Sequence, residues 1–317
     1  MKIVVTGAGG YIGGQIMMDL QDRGHSVTGI DSYLHLDHWF NRLKQSQFFT
    51  ADFADDFILD FLESNKPDAI IHCAGTSLVG PSIANPRLYY ENNVIKTLRL
   101  LDFIVDKIPS TRIIFSSSAS VYGKPIDTAL KEEYPTVPIS PYGESKLMIE
   151  KILASYHTAY QLNYLAFRYF NVCGADSQSR HGQKPNATHI IARVLERIKN
   201  NQSFVCNGND YDTPDGTCIR DYTHVEDISN AHELALSPKI PCGVYNLGTS
   251  TGNSNLEIIN SAKKITGKEI LVTFNPRRLG DPAVLRADAS KFKNVSGWKT
   301  KWQLDDMIRH AWKWYHV

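Results

Sequence analysis

The chain has 317 residues, with 34 lysines and arginines against 33 aspartates and glutamates and a formal net charge of +1. Charges so balanced and so interspersed offer no basic field for nucleic acid or an anionic membrane, and no apolar run approaches the ~18 residues that span a bilayer. The five cysteines, Cys73, Cys173, Cys206, Cys218 and Cys242, are odd in number and lack CxxC spacing, which argues against a disulfide framework or a zinc site and fits a reduced, cytoplasmic protein.

Residues 2–31 read as one strand–turn–helix–strand unit. Ile3 to Val5 is a buried strand, and Gly7, Gly10 and Gly13 are spaced GxxGxxG around Tyr11 and Ile12. An amphipathic helix follows and stops at Gly24; a second strand, Val27 to Ile30, ends on Asp31. The glycines let backbone approach a pyrophosphate at the helix N-terminus, and the acid at the second strand's end suits an adenosine ribose. Asp31 would repel a 2′-phosphate, so the pattern predicts NAD over NADP. The opening lysine and glycine-broken apolar run do not read as a signal peptide.

Strands and helices keep alternating. A strand over 47–51 ends at Asp52 and Phe53, where an adenine would be flanked; a helix runs over 54–65. The strand at 69–74 carries Cys73 and Ala74 into Gly75, small residues that let the chain pass close to a cofactor. A long helix over 86–107 has Tyr90, Val94, Leu98, Leu101 and Val105 on one stripe, interrupted by Asn92 and Asn93. Arg112 to Phe115 is a strand that discharges into the serine run containing Ser116 and Ser118. Such alternation predicts a doubly wound parallel sheet, with ligands at the carboxyl ends of its strands. Gly7, Asp31, Asp52, Gly75 and Ser118 all fall at such ends.

The heptapeptide SPYGESK, residues 140–146, then opens a helix with Pro141 at its first position. Tyr142 and Lys146 share one face of it, a turn apart. A nearby ammonium stabilises phenolate, so the pair suits taking a proton from an alcohol. By itself the spacing also describes two residues on a solvated first turn, and Ser116–Ser118 also read as the plain close of a strand. After a β-rich segment at 163–170 the composition turns polar near residue 174. A soft boundary there separates residues 1–174 from a smaller mixed part, 175–317, with chain exchange between the two. His181 and His189 fall in the polar loop and read as solvent-facing; Ser254 and Glu257 form a capping box for a helix over 254–266.

With these residues in place, the chain resembles the extended short-chain dehydrogenase/reductases, and within them the UDP-glucose 4-epimerases. TGAGGYIG, YYENNV, FSSSASVYG, SPYGESK and RYFNVCGA occur in the family's order, and NGNDYDTPDGTCIRDYTHVED and RRLGDPAVLRADASK match in the substrate part. The resemblance implies an α/β fold, a Rossmann-type sheet with a smaller mixed C-terminal substrate domain, binding NAD and a UDP-sugar as a homodimer. It implies that Tyr142 is base and acid at the sugar's 4-hydroxyl, that Lys146 holds the nicotinamide ribose, and that Ser118 shares the hydroxyl's hydrogen bond. Asn92, Cys73, Ala74, Ser116 and Tyr169 would lie beside the cofactor. Asn171, Arg220 and Arg278 would meet the substrate diphosphate, Asp281 the uridine ribose, Asn207 the uracil, and Phe170 and His189 the rest of the sugar nucleotide. The implied reaction is transient oxidation at carbon 4, rotation of the keto sugar, and return of hydride to its other face.

Three positions depart from the family pattern: Ser77 stands where a lysine is usual, Asn207 where an aromatic is usual, and Leu285 at a gate for 2-acetamido sugars. Leu285 favours unsubstituted hexoses or pentoses. A 4,6-dehydratase is excluded, because Ser118-Ala119 stand where it needs an Asp-Glu pair. Epimerisation of a UDP-pentose, UDP-uronate or UDP-N-acetylhexosamine, UDP-glucuronate decarboxylation, and a non-catalytic NAD sensor are the other readings.

Overall fold

The buried run at the N-terminus becomes the strand β1 (Lys2–Thr6), and the glycine turn delivers the chain into α1 (Tyr11–Asp22) and β2 (Ser26–Asp31). The structure is a computed structural model that describes residues 1–32, 48–124, 127, 129–184, 187–277 and 281–316. The chain continues through β3 (Phe48–Thr50), α2 (Asp56–Asn65), β4 (Ala69–His72), α3 (Val79–Ala84), α4 (Pro86–Tyr90), a π turn (Glu91–Ile95) and α5 (Lys96–Lys107). Next come β5 (Arg112–Ser118), β6 (Ala129–Leu130), α6 (Pro141–Tyr160), β7 (Tyr164–Tyr169), β8 (Asn171–Cys173) and α7 (Ile190–Lys199). The remainder is β9 (Phe204–Asn207), β10 (Ile219–Arg220), β11 (Tyr222–His224), α8 (Val225–Ala235), β12 (Gly243–Leu247), β13 (Asn253–Ser254), α9 (Asn255–Thr266), β14 (Val272–Asn275), β15 (Val284–Ala287), α10 (Ser290–Ser296) and α11 (Leu304–Trp314).

Seven strands form one parallel sheet in the order β12-β7-β5-β4-β1-β2-β3. The order reverses between β1 and β4, and a cleft opens at the carboxyl ends there. Strands with both faces covered read as unbroken apolar runs. Ile3 and Val5 join one core with α1 and α8, while Val4 joins another with α2, α5 and α6. A four-stranded sheet, β13-β10-β15-β6, and two parallel pairs, β11-β8 and β14-β9, build the other wall, over a core from α7, α9 and α11. The chain crosses residue 174 in both directions: β12 pairs with β7 in the large sheet, and β6 pairs with β15 in the small one.

Two expectations are corrected. The helix at 86–107 contains a π turn at the two asparagines, and its buried face is Tyr89, Asn93, Thr97, Leu100, Leu101 and Ile104. Tyr90, Val94, Leu98 and Val105 are half-buried beside it, because polar Asn93 and Thr97 turn inward to bond loop and strand groups that periodicity in apolar residues does not reveal. His181 is 2% exposed and does not face solvent, since its ring covers Gly14 and bonds the Tyr11 carbonyl at 2.7 Å.

Candidate active site

At one end of the cleft the glycine turn is built by close approach. Gly7 has φ +71°, and a Cβ there would lie 2.6 Å from the Ala74 amide nitrogen, so no other residue fits. At Gly13 a Cβ would meet the Gly7 carbonyl at 2.3 Å, which packs α1 against the turn. Gly10 caps α1 with no side chain on its first N–H groups, leaving a helix N-terminus suited to a diphosphate. The Asp31 carboxylate at the end of β2 accepts from the Gly9 N–H at 2.9 Å. Asp52 is paired with Lys96 at 2.6 Å, and Phe53 packs edge-on against buried His72. A cavity of about 790 Å³ runs from Asp31 past Gly7 and Gly75 to Tyr142, within the usual range for cofactor and ligand sites. A glycine cradle, an open helix start and a carboxylate at the end of β2 along one cavity fit a dinucleotide.

At the other end Ser140 caps α6, accepting from the Gly143 N–H at 3.2 Å, and Pro141 sits at N1. This puts Tyr142 and Lys146 on the cleft side. Lys146 is 5% exposed; its ammonium donates to the Ser116 carbonyl at 2.8 Å and lies 4.8 Å from the Phe115 ring centroid. Burial lowers its pKa to about 8, with Cys73 and Glu150 opposing. Ser116 Oγ bonds Tyr169 Oη at 2.8 Å and Cys73 Sγ at 3.1 Å, and burial raises the Cys73 thiol to about 11. The Tyr142 phenol does not follow the expected lowering by Lys146. Burial pushes it above its ordinary value, with nearby Ser118 opposing the rise, and the ammonium stands 5.9 Å from the ring centroid, turned toward Ser116.

Asn93 is the residue whose position in the sequence understated its work. Its amide accepts from the Thr76 N–H at 2.7 Å and donates to the Thr76 carbonyl and Ser145 Oγ at 3.0 Å each. Ser145 Oγ in turn donates to the Tyr142 carbonyl at 2.7 Å. Asn92 lines the cavity and donates to Thr76 Oγ1 at 3.1 Å. The signal was the adjacent asparagines on an apolar helix, but only the π turn decides which one points inward. Thr76, Lys96 and the segment from His181 to Lys184 also line the cavity without having been singled out for it.

The expected substrate residues divide. Phe170, Asn171 and His189 line the cavity, and Asn171 is fixed by a bond to the Asp221 carbonyl at 3.1 Å. Arg220 and Asp281 pair with each other at 2.5 Å outside the main cavity, with Tyr211 Oη donating to Asp281 at 3.2 Å. Asn207 ends β9 opposite Asn275. Arg278 lies outside the described residues. Among the described residues no group of three or more His, Cys, Asp or Glu is arranged to hold a metal ion, and no helix is long and apolar enough to cross a membrane.

Comparison with known proteins agrees with this geometry. Residues 3–248 match the model of the NAD dependent epimerase/dehydratase family. A UDP-glucose 4-epimerase of Lactobacillus helveticus is 42% identical over 99% of this chain and 97% of its own. The fold is similar, at a TM-score of 0.94 and 34% identity over 100% of this chain and 98% of the other, to a Stenotrophomonas maltophila UDP-glucose-4-epimerase with bound NAD and formylated UDP-arabinopyranose. It is also similar, at a TM-score of 0.89 and 35% identity over 100% and 98%, to the Bifidobacterium longum UDP-glucose 4-epimerase in complex with NAD+ and UDP. With its glycine turn, doubly wound sheet and Tyr142–Lys146 helix, the chain belongs to the NAD dependent epimerase/dehydratase family, in its UDP-glucose 4-epimerase branch.

Proposed function

We propose that this protein is an NAD-dependent UDP-sugar 4-epimerase that interconverts UDP-glucose and UDP-galactose. The observation that carries the reading is the placement of Tyr142, beside Ser118 and one turn from buried Lys146, in the same cavity as the glycine turn and Asp31. NAD, when bound, supplies a hydride acceptor and donor for the sugar's carbon 4. Gly7, Gly10, Tyr11, Ile12 and Gly13 would hold its diphosphate, Asp31 its adenosine ribose, Asp52 and Phe53 its adenine side, and Lys146 its nicotinamide ribose, with Asn92, Cys73, Ala74, Gly75, Ser116 and Tyr169 along it.

Tyr142 takes the proton of the sugar's 4-hydroxyl and returns it, and Ser118 shares that hydrogen bond. Because burial disfavours phenolate, nearby positive charge is needed to draw the proton off, and Lys146 stands close enough to contribute. Asn171, Arg220 and Arg278 would hold the diphosphate, a planar guanidinium suiting phosphate oxygens. Asp281, Asn207, Phe170 and His189 would complete the uridine and sugar contacts. Turning the keto sugar between the two hydride steps needs room, and Leu285, which packs on the same apolar cluster as the cavity-lining Phe170, favours sugars without a 2-acetamido group. A UDP-pentose is the second reading, and the formylated UDP-arabinopyranose bound to the Stenotrophomonas protein favours testing it. The protein is proposed to act in the cytoplasm as a homodimer.

The deciding experiment incubates the purified protein with UDP-galactose, without added NAD, and separates the products. UDP-glucose is expected, and Tyr142→Phe is expected to slow its formation by ~10²- to 10⁴-fold, the span of a lost general acid–base. Undiminished turnover in that variant removes Tyr142 from the role.

A further inference from the structure

We propose that Glu150 is a positioning residue for the proton-transfer pair, holding Lys146 and the end of β5 in a fixed relation. The inference rests on the epimerase reading. Glu150 follows Lys146 by one helical turn on α6 and is 4% exposed. Its carboxylate is gripped by Arg168 of β7: Nε donates to Oε1 at 3.0 Å and to Oε2 at 3.2 Å, and Nη2 to Oε2 at 2.6 Å. Ser117 Oγ donates to Oε1 at 2.5 Å.

Ser117 is the middle of the serine run. Side chains alternate along a strand, so Ser117 shares the face of Ile113 and Phe115, which α6 covers. Its neighbours do the other half of the work: the Ser116 carbonyl takes the Lys146 ammonium, and Ser118 lines the cavity beside the Tyr142 phenol. Two successive turns of α6 are thus fastened to consecutive residues of β5, one through Lys146 and one through Glu150. Arg168 extends the brace, donating to the Glu132 carbonyl at 3.1 Å with its guanidinium 4.8 Å from the Tyr122 ring centroid.

A buried ion pair is poor at stabilising a fold compared with apolar residues of the same volume, because desolvating two charges offsets their attraction. Its presence beside a catalytic lysine therefore points to geometry and field. Lys146 is faced by Tyr142 and Glu150 from its own helix, by His72 of β4 and Cys73 just after it, and by Phe115 and the Ser116 carbonyl of β5, with Tyr169 of β7 bonded to Ser116 Oγ and Arg168 paired to Glu150. Glu150 is the carboxylate of this group, and its charge favours the ammonium.

The test uses the full chain as Glu150→Gln, as Ser117→Ala and as the double variant Glu150→Met with Arg168→Met, which keeps the volume and removes both charges. Turnover and KM for UDP-galactose, Tm, and the titration midpoint of Lys146 are measured. The midpoint is followed by NMR of labelled lysine and identified by its loss in Lys146→Met. Glu150→Gln is expected to lower kcat by ~10- to 100-fold, as a small misplacement does, with KM held within about twofold and the Lys146 midpoint moved to lower pH. Ser117→Ala lowers kcat less. The double variant regains Tm but keeps the low kcat and displaced midpoint. Recovery of wild-type kcat and midpoint in the double variant, or neither changing in Glu150→Gln, overturns the proposal. If the wild-type protein fails to convert UDP-galactose, the epimerase reading falls, while the Lys146 midpoint still decides whether Glu150 acts on it.

Discussion

Tyr142 and Lys146 show how burial and proximity compete at one pair of side chains. Both groups lose water, and water is what stabilises their charged forms. The phenol is therefore held protonated and the ammonium weakened, to about 8 for Lys146. The lysine still carries its charge at neutral pH, since that value lies above 7. It stands near the phenol along a shared serine segment: its ammonium is on the Ser116 carbonyl, and Ser118 lies beside the phenol. Replacing Lys146 with Met keeps the stem's packing and removes the charge and its bond to Ser116. Turnover is expected to fall by ~10²- to 10⁴-fold with Tm changed little; turnover within a few-fold of wild type would show that the phenol needs no help from this ammonium. Tyr142 and Lys146 were legible from sequence because four-residue spacing on a helix is local geometry.

At the scale of elements, the cleft is made where sheet order reverses, and α3 through α6 close one side of it. These helices pack on one another, yet they leave Ile83 67%, Leu88 44%, Ile95 56%, Met148 39% and Tyr160 56% exposed. Exposed apolar side chains on helices that pack together suit an association surface, and the homodimer proposed above would cover them. Ile95→Glu places a charge on one of these exposed positions at little cost to the monomer. Sedimentation is expected to show the variant as a monomer at concentrations where the wild type is a dimer; an unchanged dimer would place the interface elsewhere. The helical stretches at 86–107 and 142–160 were readable as helices, but the buried face of the first was not. The π turn was not, because its cause is a set of bonds from Asn93 to Thr76 and Ser145, residues 17 and 52 positions away.

The whole molecule carries an unusual set of neutral buried histidines, and acid should find them. Burial lowers His72 and His224 to about 3, and His181 and His232 to about 4. In the unfolded chain each titrates near ~6.5, so as pH falls below that the unfolded state binds protons first and stability is lost down toward pH 3. Asp19 and Asp227, raised to about 6 by burial, act the opposite way, adding stability as pH drops through that value. Glu132 and Asp221 are raised by burial as well, but His25, His189 and His310 are lowered by it, so seven histidines outweigh four carboxylates; Tm is expected to fall steadily between about pH 6.5 and 4.5 in a thermal melt series, and a flat or rising Tm would overturn that balance. The histidines themselves were visible in sequence, but their burial was not. The sequence by itself determined the alternation of strand and helix, the glycine turn with its distal acid, and the tyrosine–lysine spacing, because each is set by contacts within a few residues or one supersecondary unit. Only the tertiary structure decided that β12 returns to the large sheet, that His181 lies under cover, that Arg220 meets Asp281, and that Glu150 is held by Arg168 against Ser117. Those pairings join segments 18 to 78 or more positions apart, or bury a polar group under another segment, and periodicity holds no record of which distant surfaces meet.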